Sequence, residues 1–453
     1  MTAKLNDMVQ NKALLPADNP ILKGNFGPVD KELTLTELEV IGTIPPQLEG
    51  TLLRNGPNPV DPQPNHHWFV GDGMLHGIKL SAGKALEYRN RWVRTTALAE
   101  KSGLIAAPVT DTQLLVQGSG NVHVISHAGH ILALPELGLP YELNLQLDTE
   151  RQYDFGGQLA SSMTAHPKID GKTGELLFFG YDLIAPFLRY HQVDAAGTMT
   201  NTIEIDLPEG VMMHDFAVTE SRVVFMDLPV TAKLELINDG IPMPFQWDDN
   251  HQARLGIMDR NATSDTVKWI DIEPCYVFHL LNSYDDDDKI IMDVIRYQKV
   301  FTSLSDSKYA KGAQLVRWTV DVEAGTVNTT VLSDQDQEFP RVDPRIECHR
   351  HRYGYTLEVG GEHSFGGLFK HDLDAGTSQY HKIDSHCAGG EPIFVATGPA
   401  EDCGYILSVV YNSNSDCSEL HIIDAQQFEA EAVAVVKLST RVPFGFHGNF
   451  VAQ

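Results

Sequence analysis

Four histidines, His166, His214, His279 and His447, each stand in a short distinctive run and carry a side chain well suited to a transition metal. The runs are Thr164-Ala165-His166-Pro167, Met212-Met213-His214-Asp215-Phe216, Phe278-His279-Leu280-Leu281-Asn282 and Phe444-Gly445-Phe446-His447-Gly448-Asn449. None is a local zinc motif. Neutral imidazole suits iron, copper, nickel and zinc alike, so ligand type alone leaves the metal open. The chain holds nineteen histidines, and a lone histidine on a strand is ordinarily a core or surface residue. A site built from these four therefore needs a fold that gathers residues far apart in the chain.

The elements that must do the gathering read as short β-rich runs, such as residues 222–228, 289–297 and 404–411, bounded by turn signals every ten residues or so. One pattern recurs: an Asp closing a strand, a small turn with Gly, then another strand. It occurs at Asp194 to Gly197, Asp321 to Gly325 and Asp374 to Gly376, and predicts hairpins between the outer strands of similar units. Repeated hairpins over several hundred residues, with little amphipathic helix between them, favour an all-β propeller over stacked sandwiches. Helix is expected only in short stretches, near Thr34 to Glu39 and Gln426 to Glu431. No low-complexity tract divides the chain, so residues 1–453 are expected to form one domain, with 1–35 as an N-terminal arm. In a propeller the inner strands of different blades converge on one axis, and each can point a side chain at a central ion.

Composition narrows the function further. The formal net charge of −27 disfavours nucleic acid and anionic membrane surfaces, since like charges repel over about 8 Å at physiological salt. The first twenty residues hold no secretory apolar region, and no transmembrane run follows. Five cysteines without CxxC spacing suit reduced thiols better than a disulfide framework. A cytoplasmic protein acting on a neutral small molecule is expected. Asp285 to Asp288 read as a solvated turn ahead of an apolar strand, and Asp248-Asp249 as surface.

With these blocks in hand, the chain resembles the carotenoid cleavage oxygenase family, which includes apocarotenoid oxygenases, lignostilbene dioxygenases and a retinoid isomerase. The likeness begins at Gly50-Thr51-Leu52-Leu53-Arg54-Asn55-Gly56-Pro57-Asn58-Pro59 and at His67-Trp68-Phe69-Val70-Gly71-Asp72-Gly73-Met74-Leu75-His76-Gly77, and runs through all four histidine blocks. It implies a seven-bladed β-propeller with a dome of loops over one face and Fe(II) on the axis, held by His166, His214, His279 and His447. It also implies three carboxylates behind the imidazoles: Glu136 in Leu134-Pro135-Glu136, Glu338 in Glu338-Phe339-Pro340-Arg341, and Glu391 in Gly390-Glu391-Pro392. The first histidine lacks such a partner in the family, so Glu136 is assigned to His214, Glu338 to His279 and Glu391 to His447. Glu142 is set aside in favour of Glu136. The same context gives structural roles to His66, His67, His76, His123, His127 and His130.

The implied chemistry is dioxygen-dependent cleavage of a conjugated carbon–carbon double bond into two carbonyl products, with no organic redox cofactor. Partners would then be dioxygen and an apolar or aromatic alkene, with no nucleic acid and no stable membrane anchoring. Candidate pocket residues are Phe69, Pro135, Phe278 and Phe301. Lignostilbene enzymes typically carry a phenol-contacting lysine where this chain has Pro135, which argues against the same phenol activation. Many carotenoid-cleaving members carry an apolar insertion where this chain has only residues 231–242, including Lys233, Glu235, Asn238 and Asp239. Such a segment buries little apolar area in a bilayer. An apocarotenoid is preferred, with a stilbene or a vinyl- or propenylphenol as the alternative; an isomerase or a non-catalytic binding propeller stays open as a second alternative.

Overall fold

The computed structural model describes residues 19–238, 241, 243–302, 312–360 and 364–453. The first eighteen residues of the expected N-terminal arm, and Asp239 of the 231–242 segment, lie outside the described residues. Strand follows turn almost without interruption, and successive runs close into antiparallel sheets in chain order. Seven of these sheets are the blades of a propeller. Their inner strands are Gly448–Ala452, His123–His127, Lys168–Ile169, Phe216–Val218, Tyr276–Asp286, Gln337–Arg341 and Ile393–Ala396, for blades one to seven.

Both ends of the chain stitch the ring shut. The last strand, Gly448–Ala452, pairs with Gly50–Pro57, Arg54 facing Gly448 in register, and so completes blade one from the inside. The early strand Glu39–Gly42 instead pairs with Ala434–Lys437 on the outer edge of blade seven. Burial follows position within a blade. Leu176–Tyr181, second in blade three, is buried throughout, because neighbouring blades cover both faces of its sheet. Thr326–Ser333, the outermost strand of blade five, is mostly exposed. The turns with Asp and Gly do join third and fourth strands, at 193–199, 321–326 and 372–377. Of the expected turn at Asp285 to Asp288, Asp287 and Asp288 form it, while Asp285 and Asp286 end the strand Tyr276–Asp286 paired with Ile290 and Lys289, and Asp285 also accepts from the Thr219 hydroxyl at 2.8 Å.

The expected helices are not where the sequence reading put them. Thr34–Leu35 is a strand pairing with Tyr88 and Arg89, and Glu39 opens the next strand. Residues 426–430 are turns and bends and Glu431 is irregular, with the Gln426 and Gln427 amides donating to Asp424. Edge pairing and side-chain capping here outweigh helix propensity. The α-helices among the described residues are Thr96–Ser102 and Leu234–Asn238. The first has a Thr95 cap accepting from Leu98 N and a left-handed Gly103 beyond its end. The second joins the two strands of a small hairpin, Val230–Ala232 with Phe245–Trp247, that stands off blade four. No helix among the described residues is long and apolar enough to cross a membrane.

Candidate metal centre and adjoining cavity

Each of the four histidines lies at the inner edge of a blade. His166 and His214 come two residues before the inner strands of blades three and four, His279 sits within that of blade five, and His447 comes just before that of blade one. The residues beside them lock the runs together. The Thr164 hydroxyl donates to the His214 carbonyl at 3.3 Å. Asp215 accepts from Leu280 N at 2.8 Å and pairs with Lys168 Nζ at 2.7 Å. His279 lies at a bulge, where the register shifts between Val277 and Leu280. Gly445 is required by close approach: a Cβ there would come within 2.6 Å of the Asn55 carbonyl oxygen and 3.0 Å of Gly56 Cα. That contact seats the Phe-Gly-Phe-His run against the strand Gly50–Pro57.

The four rings face one point. Their possible ligand atoms all lie within 4.8 Å of one another, and all four residues are buried. Ring centroids are 4.4 Å apart for His166 and His214 and 4.7 Å apart for His279 and His447. Behind three of them stand carboxylates from other blades. His214 Nδ1 donates to Glu136 at 2.9 Å, His447 Nδ1 donates to Glu391 at 2.8 Å, and His279 Nδ1 donates to Glu338. Glu142 instead engages His130 and Arg151. A carboxylate only accepts, so in the neutral rings the proton sits on Nδ1 and the Nε2 lone pairs turn inward.

This arrangement suits a cation. His214 Nε2 and His279 Nε2 are 3.3 Å apart, two lone pairs facing each other. His166 Nε2 is buried with no hydrogen-bond partner. Imidazole nitrogens sit about 2.0–2.1 Å from a divalent ion such as zinc, so opposed ligands lie about 4 Å apart, close to the spread seen here. Burial, reinforced by the neighbouring imidazoles, pushes His166 and His447 well below the usual histidine range, which keeps them neutral donors. Burial pulls His214 down as well, but the Glu136 carboxylate outweighs it and the net direction is upward.

Comparison with known proteins decides the lineage. The family model described as retinal pigment epithelial membrane protein (RPE65) matches residues 26–452. The carotenoid cleavage oxygenase of Mycobacterium tuberculosis is 35% identical over 96% of this chain and 98% of its own length. The chain belongs to the carotenoid cleavage oxygenase family. A carotenoid 9,10(9',10')-cleavage dioxygenase of Arabidopsis thaliana is 30% identical over 100% of this chain and 94% of its own. Among solved structures, the lignostilbene dioxygenase of Pseudomonas brassicacearum superposes with a TM-score of 0.85 at 27% identity, covering 96% of this chain and 98% of that one. Synechocystis apocarotenoid oxygenase, in a mutant form, gives 0.85 at 27% identity over 98% and 100%. As a carotenoid cleavage oxygenase, the chain is an oxidoreductase of the dioxygenase kind.

In this family member a cavity of about 700 Å³ opens beside the histidines. His214, His447, Glu136, Phe446 and Met212 form one wall of it, and Thr110, Gln113, Gln117 and Asn121 contribute polar groups. Of the four aromatic and proline candidates, Phe69 and Pro135 line the cavity. Phe278 and Phe301 do not: both are buried behind it, packed on Phe69 at 5.8 and 6.2 Å between ring centroids. The short 231–242 segment has a use its polar composition hid, because Ile241, with Met243 and Phe245 just beyond, lines the same cavity. Sequence reasoning also missed Tyr181 and Tyr297, whose hydroxyls donate to Glu136 at 2.8 Å and to Glu338 at 2.9 Å. Phe339, which stacks on His279 and reaches His447, was missed as well. A Tyr ending a buried strand looks like plain core; for Tyr181 the single signal was a phenol in a run otherwise free of polar tips, Leu176–Tyr181.

Proposed function

We propose that this chain is an Fe(II)-dependent dioxygenase that cleaves a conjugated double bond of an apocarotenoid or carotenoid into two carbonyl products. In this reading His166, His214, His279 and His447 hold the iron, and Glu136, Glu338 and Glu391 orient three of the imidazoles. The observation that carries it is the convergence of four histidine ligand atoms on one point, with two of the four rings, His214 and His447, lining a largely apolar cavity. The family likeness supports iron as the metal, and a cobalt-substituted Synechocystis relative (TM-score 0.83) fits a divalent ion of that size. When bound, iron supplies the activation of dioxygen, and the alkene supplies the electrons.

The chain's own residues select and place the alkene. Phe446, Met212, Leu183, Met243 and Phe245 give an apolar channel beside His214 and His447, which would exclude water and align one bond with the metal. Thr110, Gln113, Gln117 and Asn121 suit a polar end group on an otherwise apolar chain. The cavity lies in the upper part of the usual range of about 300–1,000 Å³ for small-molecule sites, which favours a long substrate over a single phenol ring. The likeness to a lignostilbene dioxygenase favours a second reading, a stilbene or phenylpropenoid giving an aromatic aldehyde. Pro135 on the cavity wall offers no phenol-binding amine.

Turnover of a panel of apocarotenals, hydroxystilbenes and propenylphenols by the ferrous-loaded protein, with product masses, tests the reading. Paired carbonyl fragments from an apocarotenal support the first reading and fragments from a phenolic alkene the second; a panel left intact or merely isomerised contradicts both.

A further inference from the structure

We propose that the three carboxylate–imidazole arms are electrically unequal, with Glu391 neutralised by the arginine pair Arg54 and Arg341 so that His447 is the weakest of the three carboxylate-backed donors to a bound metal. The inference rests on the metal reading above. Glu136 and Glu338 each receive a neutral phenol, from Tyr181 and Tyr297. Burial, with Glu136 beside it, pushes the Tyr181 hydroxyl well above its ordinary range, so it donates its hydrogen bond uncharged. Glu391 has cations instead. Arg341 Nη1 lies 3.4 Å from Glu391 Oε1, and its Nη2 is fixed by Asn449 Oδ1 at 2.5 Å.

Arg54 is the second cation that interacts with Glu391. It is 8% exposed, its Nη1 donates to the Pro443 carbonyl at 3.2 Å, and its Nε is buried with no hydrogen-bond partner. Arg54 and Glu391 line a shared gap of about 10 Å³, otherwise walled by Leu52, Leu53, Ile393, Leu407, Val409 and Gly448. That is room for about one water molecule. Burial lowers the Arg54 pKa to about 10 and the Glu391 charge opposes that fall, so the guanidinium stays cationic at neutral pH. Charges that face each other across apolar walls interact more strongly than at a surface. Positive charge behind Glu391 weakens its pull on the His447 Nδ1 proton, and a less polarised imidazole gives less electron density to a metal. Arg54 and Arg341 are thus positioning residues, acting through Glu391.

The test compares iron-loaded wild type with Arg54→Met, Arg54→Lys and Arg341→Met, reading iron content, thermal midpoint and the ferric/ferrous midpoint potential. Removing either positive charge is expected to shift the equilibrium about tenfold toward ferric iron, a potential lower by about 59 mV for one electron. Arg54→Lys, which keeps the charge, is expected to stay within about twofold. A side chain that only packs would change stability and iron content without moving the potential of the iron that remains. Neutral variants with unmoved potentials, or Arg54→Lys shifting as far as Arg54→Met, would overturn the inference. Should Arg54→Met fail to fold, Arg54→Gln and Arg341→Met carry the same comparison. Wild type that holds no iron is a separate failure, which overturns the metal reading and this inference with it.

Discussion

His279 shows how much chemistry one position concentrates. It is 3% exposed, hydrogen-bonded through Nδ1 to Glu338, stacked on Phe339, and turned with its Nε2 toward the other three histidines. His279→Ala is expected to abolish metal retention and turnover while leaving a folded protein, since the lost ring leaves a polar pocket that water can enter; metal analysis beside circular dichroism checks both halves. Glu391→Gln keeps the shape and removes the charge behind His447, and is expected to weaken metal retention about 10–100-fold. Competition against a chelator measures it, and unchanged affinity would count against the orienting role. The four histidines and three glutamates were legible because each stands in a run whose neighbours also work: Thr164, Asp215 and Asn449 tie the runs together. Tyr181 and Tyr297 were not, because a phenol's task depends on what lies across the axis, which no local pattern encodes.

Turns and strands carried the architecture more clearly than helices did. An Asp that caps its own turn needs only residues within four positions, so the hairpins at Asp194 and Asp321 could be read directly. Thr34–Leu35 could not, because its state is set by pairing with Arg89, far along the chain. The same non-local logic decided the cavity wall: Phe278 and Phe301 are aromatic and adjacent to the site, yet stand behind Phe69. Close contact between elements gives a further prediction. In Gly445→Ala the new methyl must displace Asn55 and Gly56, costing about 1–3 kcal/mol by the usual scale of overpacking. Denaturant melts read the stability loss, and metal content is expected to fall with it because His447 is two residues on.

Seven blades closed by a strand from each end make a ring whose joints include buried ion pairs. Asp170 after the inner strand of blade three accepts from Arg260 of blade four at 2.7 Å and from His349, which follows blade six's first strand, at 3.0 Å. Burial alone would raise this carboxyl, but Arg260, His349 and two backbone amides together hold it well below the usual carboxylate range. Its stabilising contribution is therefore complete above the unfolded value of about 3.9 and is lost as pH falls below it. Asp170→Asn is expected to lower the thermal midpoint at pH 7, to flatten its decline below about pH 4, and to cost about 3 kcal/mol, as for breaking a buried pair. Oxidative cleavage at the four-histidine centre is checked by a single turnover under ¹⁸O₂. Ferrous-loaded protein would be mixed with the best substrate of the panel, and the carbonyls trapped by reduction on quenching. One dioxygen consumed per alkene, with label in the cleavage products, is the result expected; bound iron with no dioxygen uptake, or substrate returned as an isomer, would contradict it.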